Sequence, residues 1–305
     1  SMFSAASPPK KLSVALGMCK YGYQGSFCAG AHAANAACKA FLLSLQVAFS
    51  DGTTRTVVSS ATDGWWNATT AANPIRYAHL YHGEQYDGRA AAASAASWHP
   101  AVAASFDTGV GAPQPVPAGA ALGTPALLVM PPIRASRSYA PATISKLPAG
   151  VGAADGAPTW VFDFGDNMAG FATLSLPRAT ALAGGGPITL KYAEVLNGDG
   201  TASMAFCGGK SGAQCTCSSI NCANQTDTFV PGPPPAGAGA DARATYTPSF
   251  TYHGFRYVQV EGIAEGYAPV AADLTARFVH SDVRRTGNVS FANAVLDGVQ
   301  NAIVQ

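Results

Sequence analysis

Alternation of apolar and polar residues with a period of two dominates this chain. It is plain over residues 41–49, where every second side chain is a large apolar one: Phe41, Leu43, Leu45, Val47 and Phe49. Successive side chains of a strand point to opposite faces, so this pattern is typical of a half-buried strand in an antiparallel sheet. The turn residues Ser50-Asp51-Gly52 and the β-branched run at 54–58 that follow predict a hairpin.

The same pattern recurs along the chain and predicts strands at 12–16, 160–164, 171–176, 188–195, 255–260 and 274–280. Helical spacing appears only over residues 290–304, which carry Phe291, Val295, Leu296, Val299 and Ile303. We therefore predict an all-β fold of two antiparallel, jelly-roll-like β-sandwich domains with a short C-terminal helix. The proline-rich stretch at 113–117 is a candidate linker, which gives domains at 12–118 and 119–289 and a helical segment at 290–305.

Charge and hydropathy exclude several classes of partner. Charged residues make up 11% of the 305 residues and the net charge is +1, whereas charged residues are about 25% of a typical soluble protein. No strong electrostatic attraction to nucleic acid is expected. The best apolar run, residues 126–130, is bounded by prolines and is far shorter than the roughly 18 residues of a spanning helix, so no membrane partner is expected.

The cysteines predict a disulfide-stapled loop. Four of the seven fall in one glycine-rich stretch: Cys207, Cys215, Cys217 and Cys222. The other three, Cys19, Cys28 and Cys38, form a looser group, of which Cys28 and Cys38 are also disulfide candidates. Only one interval suits tetrahedral zinc, so disulfides are preferred and no metal site is assigned. Three sequons, at Asn67, Asn224 and Asn288, are candidate glycosylation sites. Together these features predict a secreted protein or one of the endomembrane lumen, although no signal peptide is visible in this sequence.

A search for catalytic motifs finds no zinc-protease, nucleophile-elbow or phosphate-loop pattern. Two carboxylates suffice for a glycosidase, and the candidates are Glu84, Asp87, Asp163, Asp166, Glu194 and Asp282. Asp163 and Asp166 flank a Phe-Gly turn, where capping of backbone N–H groups is the ordinary role of such a side chain. No catalytic residue is assigned.

Sugar binding is the better functional candidate, because aromatic rings stack on pyranoses while polar side chains bond their hydroxyls. The residues that could supply this mixture are Trp65, Trp66, Tyr86, Asp87 and Arg89. The structural alternative is that the tryptophans fill a sandwich core and Arg89 pairs with Asp87 or Glu84.

A series of short motifs resembles, in order, the α-L-rhamnosidase family of glycoside hydrolases. Residues 80–89 look like its Gly-Glu-x-Tyr-Asp-x-Arg signature in an N-terminal β-sandwich. Residues 131–134, 161–170, 192–194 and 250–258 are similar to motifs of the following concanavalin-like sandwich, and 279–282 and 291–293 to the junction with a catalytic barrel. The resemblance runs from about residue 41 to 301, and it does not include the cysteine-rich stretch.

The resemblance implies that these are accessory domains. In the family, two acidic residues of an (α/α)₆ barrel after this junction hydrolyse rhamnosides by inversion, and nothing here matches those motifs. We therefore expect an inactive part of a rhamnosidase-like enzyme, whose partners are that barrel and rhamnose-containing glycans or glycosides. The alternative is an autonomous L-rhamnose-binding module. No cofactor is expected; calcium is the alternative, because some family members bind rhamnose with calcium in such a sandwich.

Overall fold

In the part of the chain that the structure describes, the strands form one large sheet and two small ones. A computed structural model describes residues 44–58, 66–68, 73–80, 82–92, 98–100, 131–153, 156–204, 223–239 and 241–304. The strands in this part are β1 Ser44–Ala48, β2 Thr54–Val58, β3 Asn67–Ala68, β4 Ile75–His79, β5 Gly83–Asp87, β6 His99–Pro100, β7 Ile133–Tyr139, β8 Thr143–Lys146, β9 Thr159–Pro177, β10 Ile188–Ala193, β11 Thr226–Val230, β12 Arg243–Tyr246, β13 His253–Glu261 and β14 Leu274–Ser281. The helices are α1 Gly88–Ala92, α2 Arg178–Ala183 and α3 Ala294–Val304.

The large sheet has ten strands, in the order β4-β5-β11-β10-β13-β9-β14-β7, with β8 and β12 also paired to β9. The 19-residue strand β9 organises it. Its first half pairs with β8 and β13, and its second half pairs with β14 and β12. Between the halves the register against β13 shifts, and Gly165 takes a φ of 85°. A bulge of this kind bends a strand, and the sheet curls so that both halves of β9 contribute to one core.

The core follows the alternation seen in the sequence. Large side chains of β9, β10, β13 and β14 are buried together at alternating positions, except where the register of β13 shifts between Phe255 and Tyr257. They include Phe162, Leu174, Leu176, Leu190, Tyr192, Phe255, Val258, Val260 and Leu274. The all-β prediction with a short C-terminal helix is confirmed. The predicted strands at 160–164 and 171–176 are the two halves of β9, and β2 occupies the predicted residues.

One pairing departs from the predicted antiparallel arrangement. Strands β5 and β11 are parallel, with Gln85 opposite Thr228 and Tyr86 opposite Phe229. The hairpin of β4 and β5 thereby extends the large sheet, although it lies about 140 residues away in the chain from the strand it joins. The predicted strand at 12–16 and the predicted boundary at 118–119 lie outside the described residues, so the domain limits stay a prediction.

Helix α3 begins where its sequence provides a cap. Asn293 Oδ1 accepts hydrogen bonds from the backbone N–H groups of Val295 and Leu296, at 3.0 and 3.3 Å, as an N-cap residue does. The apolar side chains of α3 face solvent, and Val295 and Ile303 are 75% and 74% exposed. Within the described part of the chain, each helix is too short or too polar to cross a bilayer.

Candidate functional site

Two fully buried carboxylates lie where the β4–β5 hairpin meets the rest of the large sheet. Glu84 of β5 and Asp227 of β11 both have no exposed surface. The alternation of each strand turns them inward, because Glu84 shares a face with Tyr86 and Asp227 shares one with Phe229. Burying a carboxylate is costly unless donors surround it, so the local hydrogen bonds decide what these groups do. We call Glu84, Asp227, His253, Tyr192 and Tyr246 the polar junction.

Donors from β12 and from the loop after it surround the Glu84 carboxylate. Its Oε2 accepts hydrogen bonds from the backbone N–H groups of Ser249 and Phe250, at 3.0 and 3.2 Å. Its Oε1 accepts one from the hydroxyl of Tyr246, at 3.3 Å. The side chain from β5 therefore ties the hairpin to β12 and to the loop after it.

Asp227 of β11 forms a second hydrogen-bonded link to the β4–β5 hairpin. Its Oδ1 accepts the backbone N–H of Glu84 at 2.8 Å, and both of its oxygens lie 3.2 Å from Nε2 of His253. The His253 ring stacks on Tyr192, with ring centroids 4.1 Å apart. At Gly83, a φ of 100° lets the backbone pass the carbonyl of Thr226 where no Cβ would fit. The junction is thus a structural contact between segments far apart in sequence.

Burial raises the pKa of three side chains in the polar junction. Burial raises the pKa of the Glu84 carboxyl, the neighbouring Asp227 adds to the effect, and the two backbone donors oppose it. Burial, followed by the charge of Asp227, also raises the pKa of Tyr192 and of Tyr246 above its ordinary value. Both tyrosines therefore stay neutral, as buried hydroxyl groups at physiological pH should.

Replacing Glu84 with glutamine should flatten part of the pH dependence of stability. A carboxyl whose pKa is raised in the folded state stabilises the fold at low pH and loses that contribution as the pH rises through the raised value. Glutamine is neutral at every pH and does not lose this contribution. The free energy of unfolding of Glu84→Gln, relative to that of the unmodified protein, should therefore increase from pH 4 to pH 7. Urea unfolding across this range measures the difference. The exposed Glu265→Gln is the control, and a difference between Glu84→Gln and the unmodified protein that stayed constant with pH would contradict the burial argument.

The residues predicted to bind sugar make contacts within the protein. Arg89 donates from Nε and Nη2 to the two oxygens of Asp87, at 2.9 and 2.8 Å. The ring of Tyr86 packs on Phe229 and Tyr246, with centroids 5.9 and 5.8 Å apart. Trp66 is half-buried and Trp65 lies outside the described residues. The pairing of Arg89 with Asp87 is the structural alternative considered above, and the sugar role of these residues stays a prediction.

Three other carboxylates that were candidates for catalysis, Asp163, Glu194 and Asp282, are also engaged. Asp163 pairs with Arg256 through two hydrogen bonds of 2.8 Å and accepts the N–H of Gly165, as the turn predicted. The bond to Arg256 lowers the pKa of Asp163. Asp282 pairs with Arg134 at 2.6 Å, and Glu194 accepts a hydrogen bond from Asn167. These contacts hold the bulge of β9 and the end of β14.

Other predicted sites divide between exposed residues and residues outside the described part. Asn67, Asn224 and Asn288 are all exposed, and glycosylation at each stays a prediction. The six candidate disulfide cysteines lie outside the described residues. Within the described ranges, no three His, Cys, Asp or Glu side chains come together as a metal site would require, and calcium binding is untested.

Sequence reasoning missed Asp227. A signal existed for Asp227, because in the run Thr226-Asp227-Thr228-Phe229-Val230 it occupies the same face as a large apolar residue. A charge in an inward register must find a partner. The partner itself, from a strand about 140 residues away, carries no local signal.

Two protein families match this chain in successive regions. Residues 9–119 match the family described as the alpha-L-rhamnosidase N-terminal domain. Residues 155–280 match the family described as the bacterial alpha-L-rhamnosidase concanavalin-like domain. The polar junction joins them, since Glu84 falls in the first match and Asp227 in the second.

Curated relatives and solved structures cover the same regions. The chain is 30% identical over 262 residues to an alpha-L-rhamnosidase of Alteromonas sp., covering 84% of this chain and 23% of the relative. It is 31% identical over 247 residues to an alpha-L-rhamnosidase of Streptomyces avermitilis, covering 79% and 19%. The crystal structure of the S. avermitilis enzyme complexed with L-rhamnose superimposes with a TM-score of 0.55 at 25% identity, covering 86% of this chain and 21% of that one. The structure of alpha-L-rhamnosidase from Dictyoglumus thermophilum gives a TM-score of 0.56 at 24% identity, covering 86% and 25%. This chain therefore spans about a fifth to a quarter of the length of the proteins it matches.

Proposed function

We propose that this chain acts as one scaffold for a catalytic (α/α)₆ barrel of the same protein, because it matches the N-terminal and concanavalin-like domains of α-L-rhamnosidases, a non-catalytic portion of a rhamnosidase-like protein. We propose that the whole protein hydrolyses terminal α-L-rhamnosides by inversion. Its substrates would then be rhamnose-containing glycans or glycosides.

The polar junction is the observation that carries the scaffold proposal. The oxygens of its two buried carboxylates accept hydrogen bonds from backbone, tyrosine and histidine donors. A carboxylate that acts on a glycosidic bond must reach the sugar, and these two are sealed from solvent. The polar junction therefore joins the two matched regions to each other, which is what a scaffold requires.

The exposed apolar face of α3 supports contact with a further part of the protein. Val295, Val299 and Ile303 recur on this helix and are all exposed. An isolated helix of this length is marginally stable in water, and tertiary packing of its apolar face supplies most of the stability of such helices. We propose that the barrel covers this face.

The competing proposal is an autonomous L-rhamnose-binding module, with or without calcium. Its predicted contacts include Tyr86, Asp87 and Arg89, which the described structure uses for core packing and for an ion pair. These contacts favour the scaffold at those positions. Secretion or passage through the endomembrane lumen remains a proposal, supported by the exposure of the three sequon asparagines.

Release of an aryl group from an aryl α-L-rhamnoside tests the scaffold proposal. We expect no turnover above background with the 305-residue chain and turnover with a longer protein that also carries the proposed barrel. The two proteins are assayed side by side at equal concentration. Turnover by the 305-residue chain would contradict a non-catalytic role, and an inactive longer protein would contradict the assignment of the whole protein as a rhamnosidase.

A further inference from the structure

A recess opens against strands β4, β5 and β11. Its volume is about 310 Å³, and its walls are Tyr77, His82, Gln85, Asn224, Thr226 and Thr228. Tyr77 and Gln85 are paired in the β4–β5 hairpin, and Gln85 is paired with Thr228 across the parallel ladder. Neighbouring residues of paired strands share a face. The recess therefore lies on the side of the sheet opposite to Glu84 and Asp227.

Hydrogen-bonding groups in the recess are available to a ligand. Within the described part of the chain, the side-chain amides of Gln85 and Asn224 and the hydroxyl of Thr228 have no protein hydrogen bond, and Gln85 and Asn224 are exposed. Thr226 donates its hydroxyl hydrogen to the carbonyl of Asn224 at 2.7 Å, which leaves its oxygen free to accept. An amide offers both donors and acceptors, and so does a hydroxyl.

Aromatic rings form the other part of the recess. The rings of Tyr77 and His82 lie nearly parallel, 13° apart with centroids 6.4 Å apart. The Tyr77 hydroxyl and His82 Nδ1 are hydrogen-bonded at 2.9 Å, which holds both rings in place. Fixed ring faces beside unpaired amides and hydroxyls can contact a ligand that has both apolar C–H surfaces and hydroxyl groups.

The lining selects the charge and the size of the ligand. None of the six residues is an acid, a lysine or an arginine, so a strongly charged ligand would find no counter-charge here. Allowing about 30 Å³ for each water of liquid volume, the recess of about 310 Å³ holds the equivalent of about ten waters, which is room for one pyranose together with some water. We propose that this recess is a binding site for a single neutral sugar residue, held by Gln85, Asn224 and Thr228 and stacked on the Tyr77–His82 pair.

This site extends the proposed function, since it would give the scaffold a sugar contact of its own, but it does not depend on the activity of the barrel. Its test uses the 305-residue chain and measures binding alone. The protein is made in a bacterium that does not glycosylate sequons, so that Asn224 remains unmodified. Failure of binding and failure of rhamnoside hydrolysis are therefore separate results.

Titration with neutral monosaccharides, followed by backbone amide chemical shifts, tests the proposal. L-rhamnose, D-glucose, D-galactose and N-acetyl-D-glucosamine are the probes, and D-glucuronate and D-glucosamine are the charged comparisons. We expect at least one neutral sugar to shift the amides of Gln85, Thr226 and Thr228 saturably, with a dissociation constant of roughly 1–10 mM for a ligand of this size. The charged sugars should bind more weakly.

Shape-conserving variants locate the site. Gln85→Met and Thr228→Val remove the polar groups with little change of volume and should each weaken binding at least about fivefold. Thr189→Val is the matched control, because Thr189 is the residue paired with Thr228 on the adjacent strand and does not line the recess; its affinity should be unchanged. Absence of saturable shifts with every neutral sugar, equal binding by Gln85→Met, Thr228→Val and Thr189→Val, or preferential binding of a charged sugar would each overturn the proposal.

Discussion

Replacing Asp227 with alanine should lower the free energy of unfolding by about 3–5 kcal/mol, because it removes a buried carboxylate from its donors. The backbone N–H of Glu84 and Nε2 of His253 would both lose their partner in a region without solvent. Relief of the repulsion between Asp227 and Glu84 offsets a part of this loss. Urea unfolding followed by far-UV circular dichroism measures the change.

Two further variants show whether hydrogen bonding is the cause. Asp227→Asn keeps one acceptor for the N–H of Glu84 and should recover part of the lost stability. Asp241 is exposed and makes no side-chain hydrogen bond within the described residues, so Asp241→Ala should change the free energy of unfolding by less than about 0.5 kcal/mol. Equal effects of Asp227→Ala and Asp241→Ala would show that the polar junction does not hold the hairpin.

Replacing Gly83 with alanine should cost about 3–5 kcal/mol, since it combines a left-handed backbone with a steric clash. The φ of Gly83 is 100°, and a Cβ built there would lie 2.0 Å from the carbonyl oxygen of Thr226. Relief requires β5 and β11 to separate, which strains the parallel pairing and the bond from Glu84 to Asp227. Thermal unfolding of the variant measures the loss.

Gly165 provides the matched control for this variant. Its φ is 85°, but a Cβ there would meet nothing within 4 Å. Gly165→Ala should therefore cost only the backbone strain, about 1–2 kcal/mol. If the two alanine variants were equally stable, the close approach of Gly83 to Thr226 would not be a constraint on the fold.

Local features of the fold could be predicted from the sequence. The strand at 54–58 and the alternating core positions follow from the side-chain period of an extended chain, which needs no information from elsewhere. The bulge of β9 could be predicted only in part. Gly165 and its flanking aspartates indicate a turn, yet the strand continues past it, because Met168 to Gly170 resume pairing with β13.

Non-local features could not be predicted, for a physical reason. The pairing of Gln85 with Thr228 joins segments with no turn between them, and either strand alone is equally compatible with other partners. The polar character of residues 80–89 was apparent, but not that Glu84 points inward and Gln85 outward. That difference decides which side chain belongs to the polar junction and which to the recess.

The parallel ladder between β5 and β11 has a consequence for how such proteins can be recombined. The seam suggested by the prolines near residue 115 is where a gene fusion would be expected to cut, yet β5 lies before it and β11 after it. A recombinant protein that contained only the later segment would expose the edge of β11, and Asp227 would lose its hydrogen bond from Glu84. Exposed strand edges promote aggregation. Recombination at this seam should therefore keep β5 and β11 in the same protein.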